Sequence, residues 1–346
     1  MTRIGITQGD INGIGYELIL KTMQSPEILE ICTPIIFGSA KVVDELMHTF
    51  ELEPFPLNII KNADEAIDGR VNLVDLTVGK ELNVEWGQQT EEALRAEADS
   101  LTAAIHAHHN RKIDLLVTAP GNLDNDLESH ALCEFVHRVM GGEETSFDWI
   151  INGSLRTLAL HNPEASTELG EGIVQENIAT DIRNVNTQLR RSFRYIEPRI
   201  AVLSRSQKLT ASLNDLRESH IMVFGPFDPA GFVEKQLWRH YDAVIFIDCE
   251  NERNLLLDQQ DNDYTYGFVS GLPLIITYPI MPISYEIAGQ GIANEVPFRQ
   301  AIYAGLDICK NRRAFANATR HPLEKQWIPK GRDDVKLDLS KSEDEE

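Results

Sequence analysis

A carboxylate and an amide stand at the tip of a glycine-rich turn, Gly9-Asp10-Ile11-Asn12-Gly13-Ile14-Gly15. Asp10 and Asn12 have the chemistry to hold a sugar hydroxyl, a substrate hydroxyl or each other. A turn of this kind lets a ligand approach the backbone and offers it the unpaired N–H groups of a helix start. The spacing is neither the dinucleotide G-x-G-x-x-G pattern nor a phosphate loop. The same two residues therefore also suit a local role, shaping the turn and capping the helix. Farther on, Thr118 and Asn122 flank Ala119-Pro120-Gly121 at the end of an apolar run, and His161 follows another such run just before Asn162-Pro163. His106, His108 and His109 close a helical stretch, where partial positive charge suits the helix dipole and no metal is needed to explain them. Cys32, Cys133, Cys249 and Cys309 are scattered with no C-x-x-C pair, which argues against a zinc site or a disulfide framework and for buried thiols.

The elements that must position these residues alternate. Residues 3–8 read as a strand entering the glycine turn, and Tyr16 to Lys21 has the apolar spacing of a helix packed on a sheet. Ile31 to Gly38 reads as a buried strand and Ser39 to Phe50 as a helix capped by Ser39. Val71 to Leu76 is a shorter strand, and Gln89 to Arg111 a helix capped near Thr90 with Glu91 and Glu92 at its positive end. Ile113 to Thr118, Arg156 to Leu160, Pro198 to Ser204, Ile221 to Phe224, Ala243 to Asp248 and Leu272 to Tyr278 read as strands. Ile173 to Phe193, Ser284 to Gly289 and Pro297 to Arg313 read as helices. This rhythm predicts an α/β fold with largely parallel sheets, whose sites lie in loops at the carboxyl ends of strands.

Composition narrows the class. The chain has 346 residues, 42% of them hydrophobic, enough for a full core and for two domains. Its apolar runs are short and interrupted by proline, so no membrane span is expected, and the early first strand leaves no signal peptide. A cytoplasmic protein is expected. The net charge of −22 would repel nucleic acid backbones and anionic lipid, so neither is an expected partner. Residues 331–346 carry seven acids against three bases and read as an acidic, disordered tail.

Taken together, these residues resemble the 4-hydroxythreonine-4-phosphate dehydrogenases of vitamin B6 biosynthesis, from Ile4 to about Arg313. Thr7-Gln8-Gly9-Asp10-Ile11-Asn12-Gly13-Ile14-Gly15 is similar to the family's opening Gly-Asp-Pro-Ala-Gly-Ile-Gly, and Val117-Thr118-Ala119-Pro120 to the strand end before its substrate loop. Gly225-Pro226-Phe227, Asp242-Ala243-Val244, Ser270-Gly271-Leu272-Pro273, Glu286-Ile287-Ala288-Gly289 and Phe298-Arg299-Gln300-Ala301-Ile302 follow in the family's order. The resemblance implies a two-domain fold of the isocitrate/isopropylmalate dehydrogenase type. Residues 1–120 and 268–330 would form one α/β domain, and 121–267 a second that carries the dimer contact. It also implies a homodimer, a small-molecule ligand in the interdomain cleft, substrate contacts from Asp10, Asn12, Thr118 and Asn122, and a cofactor turn at Ser270-Gly271-Leu272-Pro273.

The family oxidises 4-phosphohydroxy-threonine with NAD and a divalent metal held by three histidines. His161 matches the first. The second falls where this chain reads Ser204-Arg205-Ser206-Gln207, and the third aligns with Cys249, so one ligand of three remains and a metal is doubtful. The places of the phosphate-gripping lysine, asparagine and arginine hold Leu257, Gly267 and Ile276, and a lysine of the strand-end loop becomes Leu123 beside a retained Asn122. The family's Gly-His-Thr-Glu becomes Ala131-Leu132-Cys133-Glu134, and its Asp-His-Gly-Thr becomes Ile280-Met281-Pro282-Ile283. A dianionic phosphate would lose its hydration there without charge-assisted hydrogen bonds in return. The expectation is a family member that is catalytically silent or repurposed, in which NAD binding survives as an option and an active paralogue is a candidate heteromeric partner. The alternative is an NAD-dependent dehydrogenase for a smaller, less charged hydroxy acid.

Overall fold

The computed structural model describes residues 1–53, 55–78, 82–122, 131–141, 146–160 and 171–320. Twelve strands form one sheet among these residues. In chain order the elements are β1 (Thr2–Thr7), α1 (Gly15–Met23), α2 (Pro26–Ile31), β2 (Cys32–Gly38), α3 (Ala40–Thr49), β3 (Leu57–Ile60), β4 (Val71–Asp75), α4 (Glu91–His109), β5 (Leu115–Thr118), α5 (Ala131–Met140), β6 (Phe147–Asn152) and β7 (Leu155–Leu160). Then come α6 (Glu171–Phe193), β8 (Ile200–Leu203), α7 (Thr210–Glu218), β9 (Val223–Phe227), α8 (Pro229–Glu234), β10 (Ala243–Ile247), α9 (Glu250–Leu257), β11 (Thr265–Ser270), β12 (Ile276–Pro279) and α10 (Val296–Thr319).

The strand order is β3-β4-β2-β1-β5-β12-β11-β6-β7-β10-β8-β9. From β3 to β12 all pairings are parallel; β11 is antiparallel to both β12 and β6, and β6 to β7; β7, β10, β8 and β9 are again parallel. The expected α/β class with a largely parallel sheet is the observed one, and the antiparallel strands at its centre make the sheet mixed. The expected domain boundary at 267/268 falls inside β11. The expected tail, 331–346, lies outside the described residues.

Strand β2 shows why the parallel part was readable. All seven of its residues are buried, because helices cover both faces of the sheet and the strand can be apolar throughout. Ile36 joins one core with Ile4, Ile6, Leu18 of α1 and Phe298 of α10; its neighbours Ile35 and Phe37 join another with Leu101 and Ile105 of α4. The predicted caps hold: Ser39 accepts from the Val42 N–H at 3.4 Å and Thr90 from the Ala93 N–H at 3.2 Å. Two expectations do not hold. Residues 284–289 form only a short 3-10 turn over Tyr285–Ile287, entered through Ser284 at φ 54°, since Pro282 and Gly289 leave no room for a longer helix. And α1 has no side-chain cap, so Asp10 and Asn12 do not cap it.

Candidate functional site

Strand β1 has β2 on one side and β5 on the other. This is the point at which the strand order reverses, where doubly wound sheets open a crevice at the carboxyl ends of their strands. The loop after β1 carries Asp10 and Asn12, and the loop after β5 carries Asn122. The Asp10 N–H donates to the Pro120 carbonyl at 3.0 Å, and Gly9, at φ 64°, lies so close to the carbonyls of Ala119 and Pro120 that no side chain fits there. Thr7 and Thr118 are register partners at the ends of the two strands, and Thr118 is buried.

Asp10 is the centre of this cluster. Its Oδ1 accepts from the Asn12 N–H at 2.8 Å, and its Oδ2 accepts from both the Asn122 Nδ2 and the Tyr285 hydroxyl at 2.6 Å. Asn122 is held in turn by Gln89, whose Nε2 donates to its Oδ1 at 2.8 Å, and by Glu97, which accepts its N–H at 3.0 Å. The side chain of Asn12 takes another direction. Its Nδ2 donates to the Gln88 carbonyl at 2.8 Å and to the Thr90 hydroxyl at 3.1 Å, while its Oδ1 accepts from the Glu85 N–H at 2.8 Å. Both N–H donors of that amide are occupied in fixing residues 85–90, so it has no donor left for a ligand.

Burial and the neighbouring Asp10 carboxylate push the Tyr285 hydroxyl well above the usual tyrosine range, so it remains a proton donor. Beneath the site the hydroxyl of Tyr16 donates to Gln8 and accepts from the Ser39 N–H at 2.7 Å, tying β1 to the start of α3. Tyr285, Glu97 and Gln89 were not picked out by sequence reasoning. The only pointer to Tyr285 is its place immediately before Glu286-Ile287-Ala288-Gly289.

The expected cofactor turn lies elsewhere. Because β11 runs antiparallel to β12, Ser270 sits beside the amino end of β12, on the sheet edge opposite Asp10 and Asn122. The Ser270 hydroxyl accepts from the Trp149 indole at 2.8 Å, the Leu272 carbonyl from Arg312 at 3.4 Å, Gly271 turns the chain at φ 94° and Pro273 is exposed. Ser270 and Leu272 are thus engaged in packing α10 and β6 around this corner.

The strands that lead to the positions aligned with the metal ligands end at one edge. Leu160, the residue before His161, is the register partner of Ile247, two residues before Cys249, and Phe246 is that of Leu203. His161 lies outside the described residues, as does Leu123. Cys249 is buried, with its Sγ 3.7 Å from the Leu203 carbonyl, and burial pushes its thiol up to about 12, so at neutral pH it carries its proton. Arg205 spans the same edge. Its guanidinium pairs with Glu252 and donates to the Asp248 carbonyl at 3.4 Å. A protonated, inward-turned thiol and an arginine beside it do not fit a divalent cation. Among the described residues no three His, Cys, Asp or Glu are grouped so as to share an ion, and His106, His108 and His109 form no such group either. Burial lowers the His108 imidazole below its usual range, so this histidine is held neutral and the helix dipole does not account for it.

The position aligned with the phosphate asparagine is closed. Gly267 and Tyr278 are register partners on β11 and β12, and the tyrosine ring occupies the space a side chain at 267 would need. The Tyr278 hydroxyl donates to Asp148 at 2.5 Å. No helix among the described residues is long and apolar enough to cross a membrane.

Comparison with known proteins fits this frame. The 4-hydroxythreonine-4-phosphate dehydrogenase of Bacteroides thetaiotaomicron is 31% identical over 97% of this chain and 97% of its own. That of a Sulfurihydrogenibium species is 24% identical over 85% of this chain and 94% of its own. The crystal structure of the Klebsiella pneumoniae 4-hydroxythreonine-4-phosphate dehydrogenase superposes with a TM-score of 0.68 at 20% identity, covering 89% of this chain and 98% of that one. Residues 30–204 match the model of the pyridoxal phosphate biosynthetic protein PdxA, and with this length of similarity the chain belongs to the PdxA family.

Proposed function

We propose that this chain is a PdxA-family protein that no longer carries out the metal-dependent oxidation of 4-phosphohydroxy-threonine, and that it uses the retained scaffold for a binding or regulatory role. The observation that carries the reading is the sheet edge that holds Cys249, the position aligned with the third metal ligand. Arg205 supplies a fixed positive charge there, and Cys249 presents its sulfur to a core carbonyl. A protonated thiol and a guanidinium are a poor seat for a divalent ion. Closure of position 267 by Tyr278 adds that a phosphate would meet an aromatic ring in place of an amide.

The ligand end of the cleft is Asp10 with Asn122 and Thr118, while Asn12 holds the neighbouring loop. NAD is the dinucleotide in keeping with the family, although the Ser270 turn is an unsuitable partner for the Asp10 cluster. A homodimer, and through the same interface a heteromer with an active paralogue, is the assembly in keeping with this role. Neither nucleic acid nor a membrane surface suits a chain of net charge −22, and a cytoplasmic setting suits its four free, buried cysteines.

The second reading, an NAD-dependent dehydrogenase for a less charged hydroxy acid, is favoured by one observation, the persistence of a buried Asp10 with polar neighbours able to hold a hydroxyl. One assay separates the two: purified protein with 4-phosphohydroxy-threonine, NAD and zinc, magnesium or manganese. Metal-dependent NADH formation above about 1 per second would overturn the silent reading. Turnover of an unphosphorylated hydroxy acid alone would select the second.

A further inference from the structure

Oδ2 of the Asp10 carboxylate has no acceptor left for a ligand. Oδ1 takes the Asn12 N–H, and Oδ2 takes two short hydrogen bonds, from Asn122 and from Tyr285. The two donors to Oδ2 differ in how they are held. Asn122 is fastened by Gln89 and Glu97, on a loop bonded to β1. Tyr285 is half-buried and sits on a single 3-10 turn, with Ser284 at φ 54° before it and Gly289 and Gly291 at φ 77° and 72° after it. Residues with left-handed backbone at both ends mark a short segment that can swing as a unit while β12 before it and α10 after it stay fixed. Underneath, the Tyr285 carbonyl abuts Gly87, whose own N–H is bonded to the Asn12 carbonyl, so the turn rests on the loop that Asn12 organises.

We propose that Tyr285 is a specificity-determining residue of this site: its hydroxyl occupies the acceptor on Asp10 Oδ2 that a ligand hydroxyl would take beside Asn122, and a ligand enters by displacing it. The proposal rests on the reading that the Asp10 cluster is the ligand end of the cleft. It also names the class of ligand. The group that replaces the phenol must be a donor, because the acceptor is a carboxylate. Glu97, buried against Asn122, adds a second carboxylate, so a phosphate or the acid end of a ligand is repelled from this spot while a hydroxyl is accepted. Small polyhydroxy acids bound through a hydroxyl, with their own carboxylate pointing away, meet both conditions.

The experiment is calorimetric titration with D-threonate, which carries hydroxyls and no phosphate, and with butyrate, which carries neither. Removing the internal competitor should strengthen D-threonate binding about tenfold in Tyr285→Ser, since a hydrogen bond to a charged group is of that order. Tyr285→Phe keeps the ring and loses only the donor, so it should shift affinity in the same direction by less, and it serves if the serine variant does not fold. Butyrate should gain nothing, and adding Asp10→Asn should abolish the gain. Equal or weaker D-threonate binding in both Tyr285 variants, no binding by any form, or a gain that survives Asp10→Asn would each overturn the proposal. Its failure is distinct from failure of the functional reading, because these titrations contain no NAD and no metal and read binding alone.

Discussion

The ring of Tyr278 lies over the backbone of Gly267, its register partner on the neighbouring strand, and fills the volume that any side chain at 267 would take. This contact joins the two halves of the sheet where β11 turns antiparallel. It also means that the two positions depend on each other physically, since the ring is tolerated only above a glycine.

Restoring an asparagine at 267 should therefore fail unless the ring is removed. Gly267→Asn should destabilise the fold by about 2 kcal/mol through overpacking of a buried strand pair. In Gly267→Asn with Tyr278→Ser most of that loss should be recovered, a coupling that urea titrations of the two single variants and the double variant would reveal. Additive losses would show that the ring is not the obstacle.

A second expectation concerns Tyr16, which is fully buried and whose hydroxyl links Gln8 to the Ser39 N–H. Tyr16→Phe keeps the ring and leaves the buried Ser39 N–H and the Gln8 Oε1 each without this partner. The cost should be about 2 kcal/mol, larger than for an exposed tyrosine such as Tyr264, whose removal should be nearly neutral. Thermal or urea unfolding of the two variants makes the comparison.

What was legible in the sequence was what local chemistry decides. Strands β2, β5 and β10 are buried on both faces and so read as apolar runs, and Ser39 and Thr90 cap helices through atoms three residues away. Strands β6 and β11 escaped notice because Asp148, Asn152 and Gly267 interrupt their patterns, and pairing with distant strands, not propensity, makes them strands. The site divides in the same way. Asp10 stood out by its turn, but its partner Tyr285 is 275 residues away and the turn carrying Tyr285 reads as a helix. Asn12 looked like a ligand-binding or capping residue, and only the fold reveals that Glu85, Gln88 and Thr90 occupy its amide.

His108 gives a pH dependence whose sign can be stated. Burial holds its folded-state value below the unfolded value of about 6.5, so in the acid range the unfolded chain binds the proton more readily. The stability this contributes is complete above about pH 6.5 and is lost as pH falls through the lowered folded-state value. His108→Gln should flatten that part of the stability curve relative to the parent protein, measured by urea midpoints between about pH 5 and 8. Identical slopes for the two proteins would assign the acid sensitivity to other groups.

Assembly supplies the last test. The apolar strand residues of the half expected to carry the dimer contact, Leu158 to Leu160 and Ile200 to Leu203, belong to interior strands of the sheet: Leu158, Leu160 and the four residues of β8 are buried inside one chain, so they say nothing about a second. The free edge of that half is β9. Beside it stand two large apolar side chains in water, Ile196, 83% exposed, and Met222, 40% exposed, brought to one corner by the hydrogen bond from the Ile200 N–H to the Met222 carbonyl. Burying that corner against a second copy would remove apolar surface from water and cover the open edge. Sedimentation at micromolar concentration should give about twice 39.0 kDa, and Ile196→Asp combined with Met222→Asp should shift it toward the monomer without loss of the cooperative unfolding transition. A monomer in the parent protein would mean that the interface is absent, and with it the surface on which partnership with an active paralogue depends. A dimer unaffected by the two substitutions would move the interface to another face.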